Sequence, residues 1–347
     1  MEKSFDWAVI GAGPAGIAVV GQLIDKGITP SKILWIDPKF AVGDFGLYWN
    51  QVSSNTIVKL FNDYLNHLNA FEYNDRPGFT LDKLPPDETC KLGIMAKPLQ
   101  WVTDRLLNKV TGLKAHVDKL CLTKRKWQLQ LNNNEILKAK NVVIATGAKP
   151  RTMEAPDNVE TISLYDALDP HKLAKKCSTN DTVAVFGASH SAIIILQALL
   201  DLNVKHVINF YTSPLKFALN VNGNILFDNT GLKGNAAIWA QENINGILPH
   251  NLTRIYSSKD NVATYLPQCS KVIHAIGFDR RAPIIDGFPE WNYNQATGVV
   301  APGLFAVGIG FPESKIDIFG NTELRVGLWK FMEYFDRAIP LWLQYST

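Results

Sequence analysis

Cysteine is scarce in this chain. Its four cysteines, Cys90, Cys121, Cys177 and Cys269, are scattered through 347 residues, and neither CxxC nor CxxxxC occurs. That argues against a disulfide framework, a zinc knuckle and a redox pair of adjacent thiols. Isolated thiols suit a reducing compartment, so a cytoplasmic location is expected. No apolar run is long enough to span a bilayer, and the first strand pattern starts too close to Met1 for a signal peptide. A strong charge of either sign is also lacking, since the net charge is +3. The densest basic cluster, KLCLTKRKWQLQL, reads as the solvated face of a strand, so no nucleic-acid partner is expected. The seven histidines show no metal-ligand spacing, no nucleophile elbow is present, and no short repeat is evident. What remains is a globular class with 46% hydrophobic residues and a length that allows two domains.

The N-terminal stretch DWAVIGAGPAGIAVVGQLIDKG is the most informative one present. Trp7 to Ile10 is a short buried-strand pattern. The turn Gly11, Gly13, Pro14, Ala15, Gly16 follows, then an apolar helix closing at Gly27. A second buried strand, KILWIDP, ends in Asp37, 21 positions beyond Gly16. Gly11 permits the tight turn, Gly13 lets backbone approach a pyrophosphate, and Gly16 lets helix and strand pack closely. The diphosphate would sit on free amides at the positive helix end, and Asp37 would accept hydrogen bonds from an adenosine ribose. This unit alone does not separate a flavin dinucleotide from a nicotinamide one.

Later segments carry more. AKNVVIATG ends at Thr146 and Gly147, KVIHAIG at Gly277 and GLFAVG at Gly308, each an apolar strand running into a glycine. A second strand–turn–helix, VAVFGASHSAIIILQALLD, begins its turn at Gly187, 176 residues after Gly11. The segment from His116 to Gly147 reads as strand, strand, NNN turn, strand. In this order the motifs resemble the two-dinucleotide-binding-domain flavoproteins: the pyridine nucleotide-disulfide oxidoreductase superfamily and its relatives, the flavin-containing monooxygenases. The resemblance covers nearly the whole chain. It implies an α/β fold of two Rossmann-like, three-layer ββα dinucleotide-binding domains. The FAD domain would be discontinuous, residues 1–176 plus 278–347, with an NAD(P)-binding-like domain inserted at 177–277.

The resemblance also implies roles. Gly11, Gly13, Pro14, Ala15, Gly16 and Asp37 would hold the FAD diphosphate and adenosine ribose. Thr146 and Gly147 would lie at the domain crossover, and Gly308 would let backbone pass the flavin phosphate or ribityl chain. Such proteins carry an Asp after that last glycine, whereas this chain has Ile309. In GNTELRVGLWKF, Asn321 or Thr322 is a candidate N-cap, with Glu323 in the first turn of a helix aimed at the flavin. Val42 to Thr56 leaves the carboxyl end of a strand, which makes Tyr48, Trp49, Ser54, Asn55 and Thr56 candidates for the flavin or substrate wall. Disulfide reductase chemistry is not expected without adjacent thiols, and the Phe-x-Gly fingerprint of Baeyer–Villiger and flavin-containing monooxygenases is missing.

At the second turn Ser189 and Ala192 stand where glycines are usual. Ser189 and Ser191 offer hydroxyls to an anion, and His190 could touch a phosphate from inside the turn. The end of the following strand, Phe210 to Ser213, holds neither an acid for NADH nor an arginine for NADPH. Lys216 is the nearest cation. Arg280 and Arg281 read as a solvated pair in preference to the lining of a cleft between domains, and the aromatic 327–345 stretch as core packing with a docked tail in preference to a homodimer or membrane-surface contact. The expected activity is FAD-dependent and takes hydride from NADPH or NADH to a small organic acceptor or oxygen. A flavin monooxygenase is one alternative. The other is an FAD-binding module whose degenerate nicotinamide site docks a partner.

Overall fold

The computed structural model describes residues 4–288 and 292–344. The apolar run after Ser4 forms β1 (Ser4–Ile10), and the glycine turn delivers the chain into α1 (Pro14–Asp25), with Pro14 at its first position. After β2 (Ile33–Ile36) come α2 (Gly43–Leu47), β3 (Ser53–Ile57), α3 (Val58–Asn66), β4 (Thr89–Lys91), α4 (Leu92–Leu107) and β5 (Thr111–Leu113). A meander of β6 (Val117–Thr123), β7 (Lys126–Leu131) and β8 (Ile136–Ile144) follows. The chain then leaves through β9 (Ala148–Pro150), β10 (Glu160–Ile162), α5 (Leu164–Ala167) and α6 (Pro170–Lys176).

The second repeat begins with β11 (Thr182–Phe186), α7 (His190–Asp201) and β12 (His206–Tyr211). The glycine- and asparagine-rich stretch that follows forms a hairpin, β13 (Leu219–Val221) and β14 (Asn224–Leu226), turning at Gly223. Next come α8 (Gly234–Asn243), β15 (Leu252–Tyr256), α9 (Lys259–Tyr265) and β16 (Lys271–His274). The return strand β17 (Phe278–Arg280) pairs antiparallel with β9, so the two crossings between units form one ribbon. The chain ends with β18 (Ile284–Ile285), β19 (Val299–Ala301), β20 (Leu304–Ala306), the hairpin β21 (Glu313–Ile316) with β22 (Thr322–Arg325), and α10 (Leu328–Gln344).

Five parallel strands in the order β5-β2-β1-β8-β20 form the heart of the first sheet, and the meander branches from the front half of β8. The second sheet runs β15-β12-β11-β16-β10, also parallel throughout. Each strand of one therefore has a counterpart in the other. The strands are near-continuous apolar runs because helices cover one face, and the meander or loops cover the other. The second sheet takes in Glu160–Ile162, upstream of the expected boundary at residue 177. Helix α10 buries Phe331, Phe335 and Trp342 against the first unit, with Trp342 stacked on Phe305 at 4.5 Å. Among the described residues, no helix is long and apolar enough to cross a membrane.

Candidate functional site: two crevices at parallel strand ends

The carboxyl ends of β2, β1, β8 and β20 lie side by side, so Asp37, Gly11, Thr146–Gly147 and Gly308 meet in one crevice. The three glycines of the turn differ in what requires them. Gly11 has φ +109°, and a Cβ there would stand 2.4 Å from the Ala145 carbonyl oxygen. A Cβ on Gly16 would stand 2.0 Å from the Gly11 carbonyl oxygen. Both are demanded by packing. Gly13 has φ −78° and ψ 177°, open to any residue, and nothing lies within 4 Å of its missing Cβ. The bare space sits over the first turn of α1, whose amides have no side-chain cap. A side chain at position 13 would fill it, and uncapped amides at a helix start are groups that can receive an anion.

Neighbouring side chains fix this turn. The Trp35 indole donates to the Gly11 carbonyl (2.9 Å), and the Tyr64 hydroxyl donates to the Pro14 carbonyl (2.6 Å). Ala15 faces Gly308, where a Cβ would come within 2.9 Å of its own. Asp37 is only 8% exposed; it accepts from the amides of Ala12 (2.8 Å), Lys39 (2.8 Å) and Phe40 (2.7 Å). It therefore staples the turn to the loop beyond β2. In that loop the buried Phe40 and Val42 take left-handed backbone (φ 50° and 60°), and the chain brings Gly43 against Gly13. Ile309 is 42% exposed beside Gly147.

Thr146 donates to the Arg281 carbonyl, and the Arg281 amide donates back to the Gly147 carbonyl (3.0 Å). The Arg281 guanidinium reaches Asp44 (2.8 Å) and the Tyr165 hydroxyl (2.9 Å), while Arg280 lies over the Phe311 and Tyr293 rings. Arg281 is therefore not the solvated charge read from the sequence, whereas Arg280 is exposed, as that reading has it. Arg281 ties the strand crossing to the loop above the first crevice. Trp49 stacks on Tyr165 at 5.0 Å and meets Phe278 edge-on, so it packs toward the second unit. Ser54 is buried and donates to the Thr56 carbonyl (2.6 Å); Asn55 is exposed and Thr56 half-buried on β3. Thr322 does not cap a helix. Residues 322–325 form strand β22, not a helix start, because Asp317 closes a tight turn by accepting from the Phe319 and Asn321 amides. The helix begins only at Leu328.

In the second crevice Gly187 keeps φ +126°, and a Cβ would meet the Ala275 carbonyl oxygen at 2.3 Å. Ser189 is the exposed N-cap of α7, with no capping bond from its hydroxyl, and Ser191 is half-buried. His190 turns away from the turn; its Nε2 donates to the Ser53 carbonyl at 3.0 Å, which leaves Nδ1 as the unprotonated nitrogen, buried without a partner. Lys216 is held over the Phe227 ring at 4.5 Å. The cation that reaches the end of β12 is Arg254, from β15. Nothing in the local pattern of NLTRIY marks it. Only the register Asn209↔Arg254 brings it there.

A third concavity of about 300 Å³ lies between the hairpins β13–β14 and β21–β22, with Ile225, Ile316, Ile318 and Phe319 exposed in its wall. The four thiols are free, and burial pushes Cys177 and Cys269 up to about 11, so these two are protonated at neutral pH.

Burial also lowers the pKa of His190 and of His274, which is 2% exposed with both ring nitrogens unpartnered, stacked on Phe186. In the unfolded chain both take a proton near pH 6.5. Below that pH the unfolded state binds more protons than the fold, so stability falls as pH falls through the histidine range. Thermal melts should show a Tm that drops from pH 7 to pH 5. His274→Phe should flatten that drop; an unchanged slope would refute the assignment.

Residues 5–218 match the family described as pyridine nucleotide-disulphide oxidoreductase. Monooxygenase AgnR1 of Paecilomyces divaricatus is 34% identical, over 96% of this chain and 97% of that protein. Among solved structures, a flavin-containing monooxygenase from Stenotrophomonas maltophilia is 14% identical with a TM-score of 0.66, covering 100% of both chains. The thioredoxin reductase of Lactococcus lactis is 14% identical with a TM-score of 0.61, covering 99% of both chains.

Proposed function

Because the chain belongs to the pyridine nucleotide-disulphide oxidoreductase family, we propose that it is an FAD-dependent oxidoreductase driven by a reduced nicotinamide dinucleotide. FAD, when bound, supplies two-electron chemistry between the nicotinamide and an organic acceptor or oxygen. The observation that carries the reading is Gly13, a glycine that neither backbone conformation nor packing requires, beside uncapped helix amides. In this reading the α1 amides and Gly13 hold the diphosphate, and Asp37 faces the adenosine end while keeping the turn in shape. Gly147 and Gly308 keep the crevice floor free of side chains. Arg281, anchored on Asp44 and Tyr165, holds the loop over that crevice against the second unit.

A relay through a thiol pair of the chain's own does not enter this reading, because no two cysteines adjoin in the sequence and the Cys177 and Cys269 thiols are held protonated. Oxygen is favoured by the identity to a monooxygenase along almost the full length. The exposed isoleucines and Phe319 of the cleft between the hairpins suit an apolar organic co-substrate.

The test is anaerobic titration of the purified, FAD-reconstituted protein. NADPH or NADH should bleach the flavin absorbance, and admitting air should restore it. A protein that takes up no FAD refutes the reading. A yellow protein that neither nucleotide bleaches supports instead a flavin-binding module that docks a partner.

A further inference from the structure

The two units carry matching turns, and the match can be read residue by residue. The Gly11 amide donates to the Ile36 carbonyl (2.7 Å), and the Gly187 amide donates to the Phe210 carbonyl (2.8 Å). The residue after each acceptor holds the position that reads the adenosine ribose. In the first unit it is Asp37. In the second it is Tyr211, and no carboxylate stands there.

Over the Tyr211 ring, at 5.0 Å, lies the guanidinium of Arg254 from the neighbouring parallel strand β15. Its Nε donates to Asn209 Oδ1 at 3.0 Å. Asn209 is fully buried, and its amide nitrogen donates to the carbonyls of Gly187 (2.8 Å) and Val185 (3.0 Å). One side chain therefore sets both the turn and the guanidinium. The Nη2 of Arg254 is buried without a partner, and among the described residues no carboxylate pairs with it. Burial pulls its pKa below the ordinary value. A half-buried cation with no counter-ion is costly unless an anion comes to it. A planar guanidinium stacked on a ring is the form that takes phosphate oxygens.

We propose that Arg254, stacked on Tyr211 and steered by Asn209, selects NADPH over NADH by binding the 2′-phosphate of its adenosine. The inference rests on the reading that the second unit takes a reduced nicotinamide dinucleotide. A free 2′-hydroxyl would find at Tyr211 no carboxylate to accept its proton, whereas a 2′-phosphate would meet a half-exposed guanidinium that has no counter-ion among the described residues. The selecting residue comes from the strand beside β12, not from the loop that follows it, which explains why the stretch after Phe210 reads as neutral.

The test uses the FAD-reconstituted protein. Flavin reduction should have a kcat/KM at least about tenfold higher with NADPH than with NADH, and Arg254→Gln should bring that ratio close to one. Calorimetry, independent of turnover, should show 2′,5′-ADP binding the wild type more tightly than 5′-AMP, and Arg254→Gln should remove the difference. Arg254→Lys should recover part of it, and circular dichroism melts should match the wild type. Equal use of both nucleotides by the wild type, or a variant that weakens both alike, overturns the assignment while the nicotinamide reading stands. A yellow protein that neither nucleotide reduces and that binds neither adenosine phosphate overturns both.

Discussion

Gly13→Val should yield a folded, colourless protein. The backbone at Gly13 is one that valine adopts, and no atom lies within 4 Å of the added Cβ, so the apoprotein should melt within about 1 kcal/mol of the wild type. The isopropyl group would fill the space above the α1 amides, and FAD affinity should fall by at least about a hundredfold, measured by flavin fluorescence quenching. Gly16→Val is the contrasting experiment. Its Cβ would be driven to 2.0 Å from the Gly11 carbonyl oxygen, a clash with backbone that no side-chain movement relieves. That variant should fail to accumulate as folded protein. If Gly13→Val retained flavin at wild-type affinity, the diphosphate would not lie where the turn is open, and the assignment of the first crevice would fall.

Arg325→Met should destabilise the protein by about 3–5 kcal/mol. Arg325 donates to Glu313 (2.9 Å) and Glu333 (2.5 Å), and the side chains of Arg325 and Glu313 are only 13% and 9% exposed. Without it, Glu313 keeps only Arg337 (2.6 Å) as a cationic partner among the described residues. The damage should reach the second unit, because the same hairpin carries the buried Glu323, which accepts from the Asn229 amide and side chain and from Thr230. A Tm lowered by roughly 5–10 °C is expected. The double variant Arg325→Met with Glu313→Met should recover most of the loss, since burying neither charge costs less than burying one. A single variant that melts like the wild type, or a double variant worse than the single, would show that this pair is not what holds the hairpin.

Both effects bear on what could be read from sequence. Gly11, Gly16 and Gly187 stand where tight turns need them, and each is enforced by a carbonyl a few ångströms away. Those contacts recur wherever a strand turns into a helix across a neighbouring strand end, so glycine spacing reports them. The alternative fates of Asn321–Arg325 are not local. Capping signals and an alternating strand pattern coexist in NTELR, and the choice fell to a turn closed by Asp317 and a buried site for Glu323 among residues 229 and 230. His190 shows the same limit: it sits in the motif, yet its ring is taken by the Ser53 carbonyl, 137 residues away in the chain.

By itself the sequence determined the two strand–turn–helix units, their order and the open glycine turn of the first, because backbone conformation and apolar periodicity act over a few residues. Only the tertiary structure decided which cation meets the second crevice and which charges clamp the hairpin. Neighbours in a parallel sheet are joined by long crossovers, so Arg254 reaches Asn209 through strand register across 45 residues, a relation that local propensity does not encode.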